Sequence, residues 1–137
     1  MIARRIASAA LASVVGFAAL AELTPIEAEV LTVPSGQPVE FFETVMDQPA
    51  MGLTARFRFL APELPRYLEQ LTYQELEADL SALCVSYALP RLGTPAPSMI
   101  VISLSEAPTA FGSPDPEVAQ VFEAYRPAGD VCEWEAF

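Results

Sequence analysis

Two cysteines, Cys84 and Cys132, stand 48 positions apart and are the only ones in the chain. If they are joined, every fold open to the intervening residues must bring both ends of that segment together. The chain-entropy argument then assigns the cross-link about 4 kcal/mol of stabilisation. Whether they are joined turns on whether the chain reaches an oxidising compartment.

The N-terminus answers that question. Arg4 and Arg5 are followed by an apolar run over residues 6–18, broken only by Ser8, Ser13 and Gly16. Ala19 and Ala21 then place small residues at the −3 and −1 positions of a cleavage point, the pattern of a secretory signal peptide over residues 1–21. The run is shorter than the roughly 20 residues that span a bilayer, so contact with a membrane is expected only through this segment if it is kept. No cysteine follows it, which excludes a lipid anchor. The expected location is periplasmic or secreted, and a structural disulfide follows for Cys84 and Cys132.

Composition narrows the chemistry. All seven basic residues are arginines, and the chain has neither lysine nor histidine. Ser-His-Asp triads, Cys-His dyads, histidine metal ligands and lysine Schiff bases are therefore excluded. Neither thiol has a side-chain base to activate it, and no C-x-x-C spacing is present, which again favours a structural bond. Eighteen acids give a net charge of −11, and loss of Arg4 and Arg5 with the signal leaves −13. A surface so acidic repels phosphate backbones, so nucleic acid is not expected as a partner.

Beyond the signal, residues 22–36 read as a leader or short strand and residues 37–137 as one domain. Residues 39–46 are rich in β-branched and aromatic side chains. Residues 53–60 alternate, with Leu53, Ala55, Phe57 and Phe59 on one face and Thr54, Arg56 and Arg58 on the other; the two runs suggest an antiparallel hairpin. Thr72 and Glu75 fit a capping box, and Leu76, Leu80, Leu83, Cys84 and Tyr87 continue as one apolar stripe until Pro90 ends the helix. Residues 99–104 are almost continuously apolar, as in a strand covered on both faces. Residues 106–116 hold Pro108, Gly112, Pro114 and Pro116 and read as a long surface loop, a common place for function. Residues 118–125 fit either a helix or a strand. A strand is preferred, because a hairpin with residues 131–137 gives the last segment a partner. The expected fold is α+β: an antiparallel sheet of four to five strands in ββαβββ order, with one main helix on one face.

The blocks CVSYALP at 84–90, IVISLS at 100–105, FEAY at 122–125, CEWEAF at 132–137 and RFRF at 56–59 together resemble a family of small uncharacterised exported proteins of alphaproteobacteria. The resemblance runs from about Pro34 to Phe137 and implies a periplasmic domain of unknown function. It carries no catalytic residues over.

Carboxylates are the one plentiful reactive group. Glu133 with Glu135, Glu75 with Asp79 and Asp115 with Glu117 form local pairs that could divide into acid and base if burial separated their pKa values; a solvated acidic surface is the simpler expectation. No D-x-[DN]-x-[DN]-G loop is present for calcium, and no metal or cofactor is expected. Arg56 and Arg58 could clamp a carboxylate of a partner, or neutralise Glu40 or Glu43 across the hairpin. Trp134 is expected to pack beside the disulfide. The candidate interaction surface is therefore Arg56, Arg58, Asp115, Glu117, Glu133 and Glu135. The expected role is a non-enzymatic binding or accessory module for a periplasmic protein or small ligand, with a small carboxylate-dependent hydrolase as the alternative.

Intact mass of the protein recovered from an exported fraction should correspond to a chain beginning at Glu22. A mass that retains residues 1–21 would refute cleavage.

Overall fold

The computed structural model describes residues 31–50 and 52–136. The proposed signal segment, most of the leader and Phe137 lie outside the described residues.

Alternation in the arginine-bearing strand sets the two faces of the molecule. In β2 (Thr54–Leu60), Ala55, Phe57 and Phe59 are buried on one side of the sheet, and Arg56 and Arg58 alternate with them toward the other. It pairs antiparallel with β1 (Glu40–Asp47), with a register shift between Phe41 and Glu43. This is the hairpin the alternation predicts.

After β2 the chain does not go straight to one helix. Pro65 sits in the first turn of α1 (Leu64–Gln70), where its missing N–H costs nothing because no intrahelical bond is made there. The second helix, α2 (Tyr73–Leu83), begins at the predicted capping box: Thr72 Oγ1 accepts from Glu75 N at 3.2 Å, and Glu75 Oε1 accepts from Thr72 N at 3.0 Å. Leu80, Leu83 and Cys84 on its stripe are buried. The chain then widens into a π-helical turn (Cys84–Ala88) and tightens into a 3₁₀ turn (Leu89–Arg91), where Pro90 can donate no further hydrogen bond.

The helices also change the sheet. They occupy the connection between β2 and β3 (Met99–Ser105), and returning the chain along the helices brings β3 in beside β2 in the same direction. β2 and β3 are therefore parallel, with Thr54 opposite Met99 and Leu60 opposite Ser105. The all-antiparallel sheet and single helix expected from sequence are corrected on both counts: the order is ββααβββ, in a mixed five-stranded sheet β1-β2-β3-β4-β5. β4 (Gln120–Ala128) and β5 (Val131–Trp134) pair antiparallel with Ala128 opposite Val131, which resolves residues 118–125 in favour of the hairpin. Gly129 takes φ +63° in the tight turn between them, as the first central position of a type II′ turn requires.

Ile100, Ile102, Leu104 and Tyr125 complete the core against the helices. Truncating any of its large aliphatic side chains to Ala should cost about 2–5 kcal/mol. The disulfide joins Cys84, at the end of α2, to Cys132 on the edge strand β5, with Cα atoms 6.3 Å apart.

The segment before β1 is anchored by a buried charge. Val33 is in the core, and Gly36 turns the chain at φ +80° with its N–H on Val33 O at 2.9 Å. This turn delivers Ser35 and Gln37 to Asp79, which is completely buried on α2. Its carboxylate accepts from Ser35 N at 2.9 Å, Gln37 Nε2 at 2.8 Å and the Ser35 hydroxyl. Asp79 is thus removed from the solvated acidic surface where its spacing from Glu75 had placed it. Asp79→Ala should lower stability by about 2–3 kcal/mol, since it strands the buried donors. Glu69→Ala, at an exposed site, should change it by less than about 0.5 kcal/mol. Urea unfolding measures both, and an unchanged midpoint for Asp79→Ala would contradict the anchoring role.

Candidate binding groove on the helix-free face

With α1 and α2 covering one face, the opposite face is left to a single loop. Register places Glu43, Arg58, Ser103 and Phe122 in one row across four strands, and Val45, Arg56, Val101 and Ala124 in the next. Residues 106–116 fold over these rows. The loop is tied at its root, where Glu106 N donates to Ala119 O at 2.9 Å and Ala119 N to Glu106 Oε2 at 3.1 Å.

Arg58 holds its middle. The side chain is buried, with the residue only 8% exposed, so each guanidinium edge needs a partner. Nη1 pairs with Glu43, and Nη2 donates to Thr109 O at 2.7 Å and Thr109 Oγ1 at 2.9 Å. The guanidinium also lies 5.3 Å from the ring centroid of Phe42 and 5.9 Å from that of Phe111. Arg56 is less enclosed; it pairs with Asp47 at 3.1 Å and faces the Phe111 ring at 5.6 Å. The cross-hairpin neutralisation expected from sequence therefore occurs through Glu43 and Asp47.

Between loop and sheet lies a groove of about 350 Å³, with Arg56 and Arg58 on one side, Val101 and Ser103 at its floor, and Phe111 and Phe122 at its rim. The two phenylalanines are 49% and 60% exposed, a large apolar presentation for an acidic domain.

The other proposed surface residues are placed around this groove rather than in it. Asp115 and Glu117 are exposed in the loop, where Asp115 Oδ1 accepts from Glu117 N at 3.0 Å. Glu133 is exposed on β5 opposite Arg126, and both oxygens of Glu135 accept from Arg126 Nη2 at 2.8 Å. Trp134 does not pack into the disulfide region as expected. It is 53% exposed at the sheet edge beside the first turns of α2, and its Nε1 donates to Glu123 Oε2 at 2.8 Å. Sequence reading missed Phe111 and Phe122. The signal for Phe122 was present: Val121 and Tyr125 carry one apolar face of β4, and Phe122 with Ala124 carries a second.

A groove of this kind offers flat apolar surface and two neutralised guanidinium groups; among the described residues that line it, the hydroxyls of Ser103 and Ser113 have no carboxylate beside them. Among the described residues, no group of three or more metal-ligating side chains comes together. The chain is a small α+β domain closed by one disulfide. It belongs to a family of unknown function, DUF6497, whose sequence pattern matches residues 11–137. Neither the curated proteins nor the solved structures include a match to it.

Removing the Arg58 strap should release the loop. Arg58→Ala should cost about 2–3 kcal/mol and speed proteolytic nicking within residues 106–116, while Arg56→Ala should cost no more than about 1 kcal/mol. Equal nicking rates in the two variants would refute the strap.

Proposed function

We propose that this chain is an exported, non-enzymatic accessory module that holds a partner protein through the groove on the helix-free face. Export is supported by the signal-like pattern over residues 1–21, and the disulfide is compatible with an oxidising compartment. The observation that carries the binding reading is the pairing of exposed Phe111 and Phe122 with Arg56 and Arg58 around one groove. Exposed aromatic side chains beside arginine are the residue types in which binding energy concentrates at interfaces.

The occupant that fits is a partner segment presenting an apolar side chain next to a carboxylate. The volume suits one large side chain, and the Arg56–Asp47 and Arg58–Glu43 pairs make this a locally neutral patch on a chain of net charge −11, so an acidic segment is repelled less here than from the unpaired acidic surface. The hydrolase alternative has no comparable support. It needs two carboxylates converging in a cleft with one buried, and among the described residues the fully buried carboxylate, Asp79, is enclosed by Ser35 and Gln37 instead.

Site-specific photo-crosslinking in the exported compartment tests this. A photoreactive residue at position 122 should give a discrete protein adduct that is absent from the same residue at position 85, exposed on the helix side. Phe111→Ser should reduce that adduct several-fold. No adduct at 122, or equal adducts at both positions, would overturn the reading.

A further inference from the structure

The opposite side of the molecule carries a second concave surface of different chemistry. The capping box at Thr72 makes Tyr73 the first residue of α2 and leaves it 56% exposed. One turn later Glu77 points to the same side of the helix. β4 contributes Glu123 and Tyr125, and β5 contributes Trp134. A cleft of about 280 Å³ is lined by Tyr73, Gln74, Glu77 and Trp134, and an adjoining hollow of about 250 Å³ is lined in part by Tyr73, Glu77 and Glu123.

Hydrogen bonds fix the aromatic rings around the carboxylates. Glu123 takes the Tyr73 hydroxyl on Oε1 and the Trp134 indole N–H on Oε2 at 2.8 Å, so both ring edges converge on one anion. Tyr125 donates its hydroxyl to Glu77 Oε1 at 2.9 Å. Donation to a carboxylate pushes electron density into each ring and makes its face more negative. The Tyr73 hydroxyl is held above its ordinary pKa, first by the hydrogen bond to Glu123. That of Tyr125 is also raised, first by burial and then by its hydrogen bond to Glu77. Among the described residues no cation pairs with Glu77 or Glu123.

We propose that the cleft between Tyr73 and Trp134 is a binding site for a small organic cation carrying a quaternary ammonium group, with the two rings as its walls and Glu77 and Glu123 supplying the counter-charge. The chemistry selects this class over others. A quaternary ammonium has no N–H to satisfy and is weakly hydrated, so its methyl groups can lie against Tyr and Trp faces while its charge stays near the carboxylates. A hard metal ion would find too few oxygen ligands here, since among the described residues no group of three or more candidate ligands assembles. An anion meets two carboxylates and no guanidinium.

Trp134 is the single tryptophan of the chain, so its emission reports on the cleft alone. Titration of the full chain with choline should give a saturable change in Trp134 fluorescence, with a dissociation constant on the order of 1 mM. The uncharged isostere 3,3-dimethyl-1-butanol should give none. Glu77→Gln should weaken binding about two- to fivefold, and Tyr73→Leu, which stays apolar but loses the ring, should weaken it at least as much. Both variants should keep the wild-type thermal midpoint within a few degrees. An absent response, an equal response to the neutral isostere, or unchanged affinity in both folded variants would overturn the proposal.

Discussion

Covering one face of the sheet is the constraint from which the rest of the molecule follows. β2 and β3 run parallel, so the chain between them must cross the sheet, and α1 and α2 are that crossing. Phe57, Phe59, Ile100 and Ile102 meet Leu80 and Leu83 there, and this contact is the hydrophobic core. Cys84–Cys132 closes the arrangement at its far end, tying the last turn of the helical crossing to the edge strand. Without that bond β5, four residues long, would be held by one strand neighbour. A two-stranded ribbon at a sheet edge is weakly stable by itself, so the cross-link and the tight turn at Gly129 complement each other.

Using both helices on one face leaves the other to irregular chain, which has no ladder of its own to hold it. On each side of the sheet a buried ionic side chain holds such irregular chain in place. Asp79 fixes residues 33–37 to α2, and Arg58 fixes residues 106–116 to the sheet. Each costs desolvation, and a buried charge is poor support for overall stability. What each contributes is position: a carboxylate with neutral donors on several sides, or a guanidinium with donors spread over a fork, accepts few geometries. The groove depends on this, since Phe111 stands at its rim only while Thr109 stays on Arg58.

Much of this was legible in the residues. The Thr72–Glu75 capping box, the β2 alternation, the doubly covered apolar run of β3 and the Cys84–Cys132 pairing each rest on a local rule or on a count, and each stands in the structure. The parallel pairing of β2 with β3 was not legible as such, although continuous burial of β3 was its signature; strand direction is decided by the connection, and the first helix hid behind Pro62 and Pro65. Asp79 was misplaced because helical spacing relates it to Glu75, whereas its partners lie 42 and 44 residues earlier in the chain. Trp134 was misplaced because alternation assigns a face and says nothing about how fully that face is covered at the sheet edge.

The distribution of charge follows from the same geometry. On the helix-free face, Glu43, Asp47 and Glu135 are each matched by an arginine. At the start of α2, Glu77 and Glu123 are matched instead by hydroxyl and indole donors, which leave the full negative charge in place. A hydrogen bond from a neutral donor orients a carboxylate without cancelling its field. The two faces therefore present opposite electrostatic characters although both are built mainly from aromatic and acidic side chains. The neutralised face suits an apolar group with an acid beside it, and the unneutralised one suits a cation. Three of the five arginines among the described residues, Arg56, Arg58 and Arg126, pair with acids on the helix-free face, and none pairs with Glu77 or Glu123, which is what makes the difference.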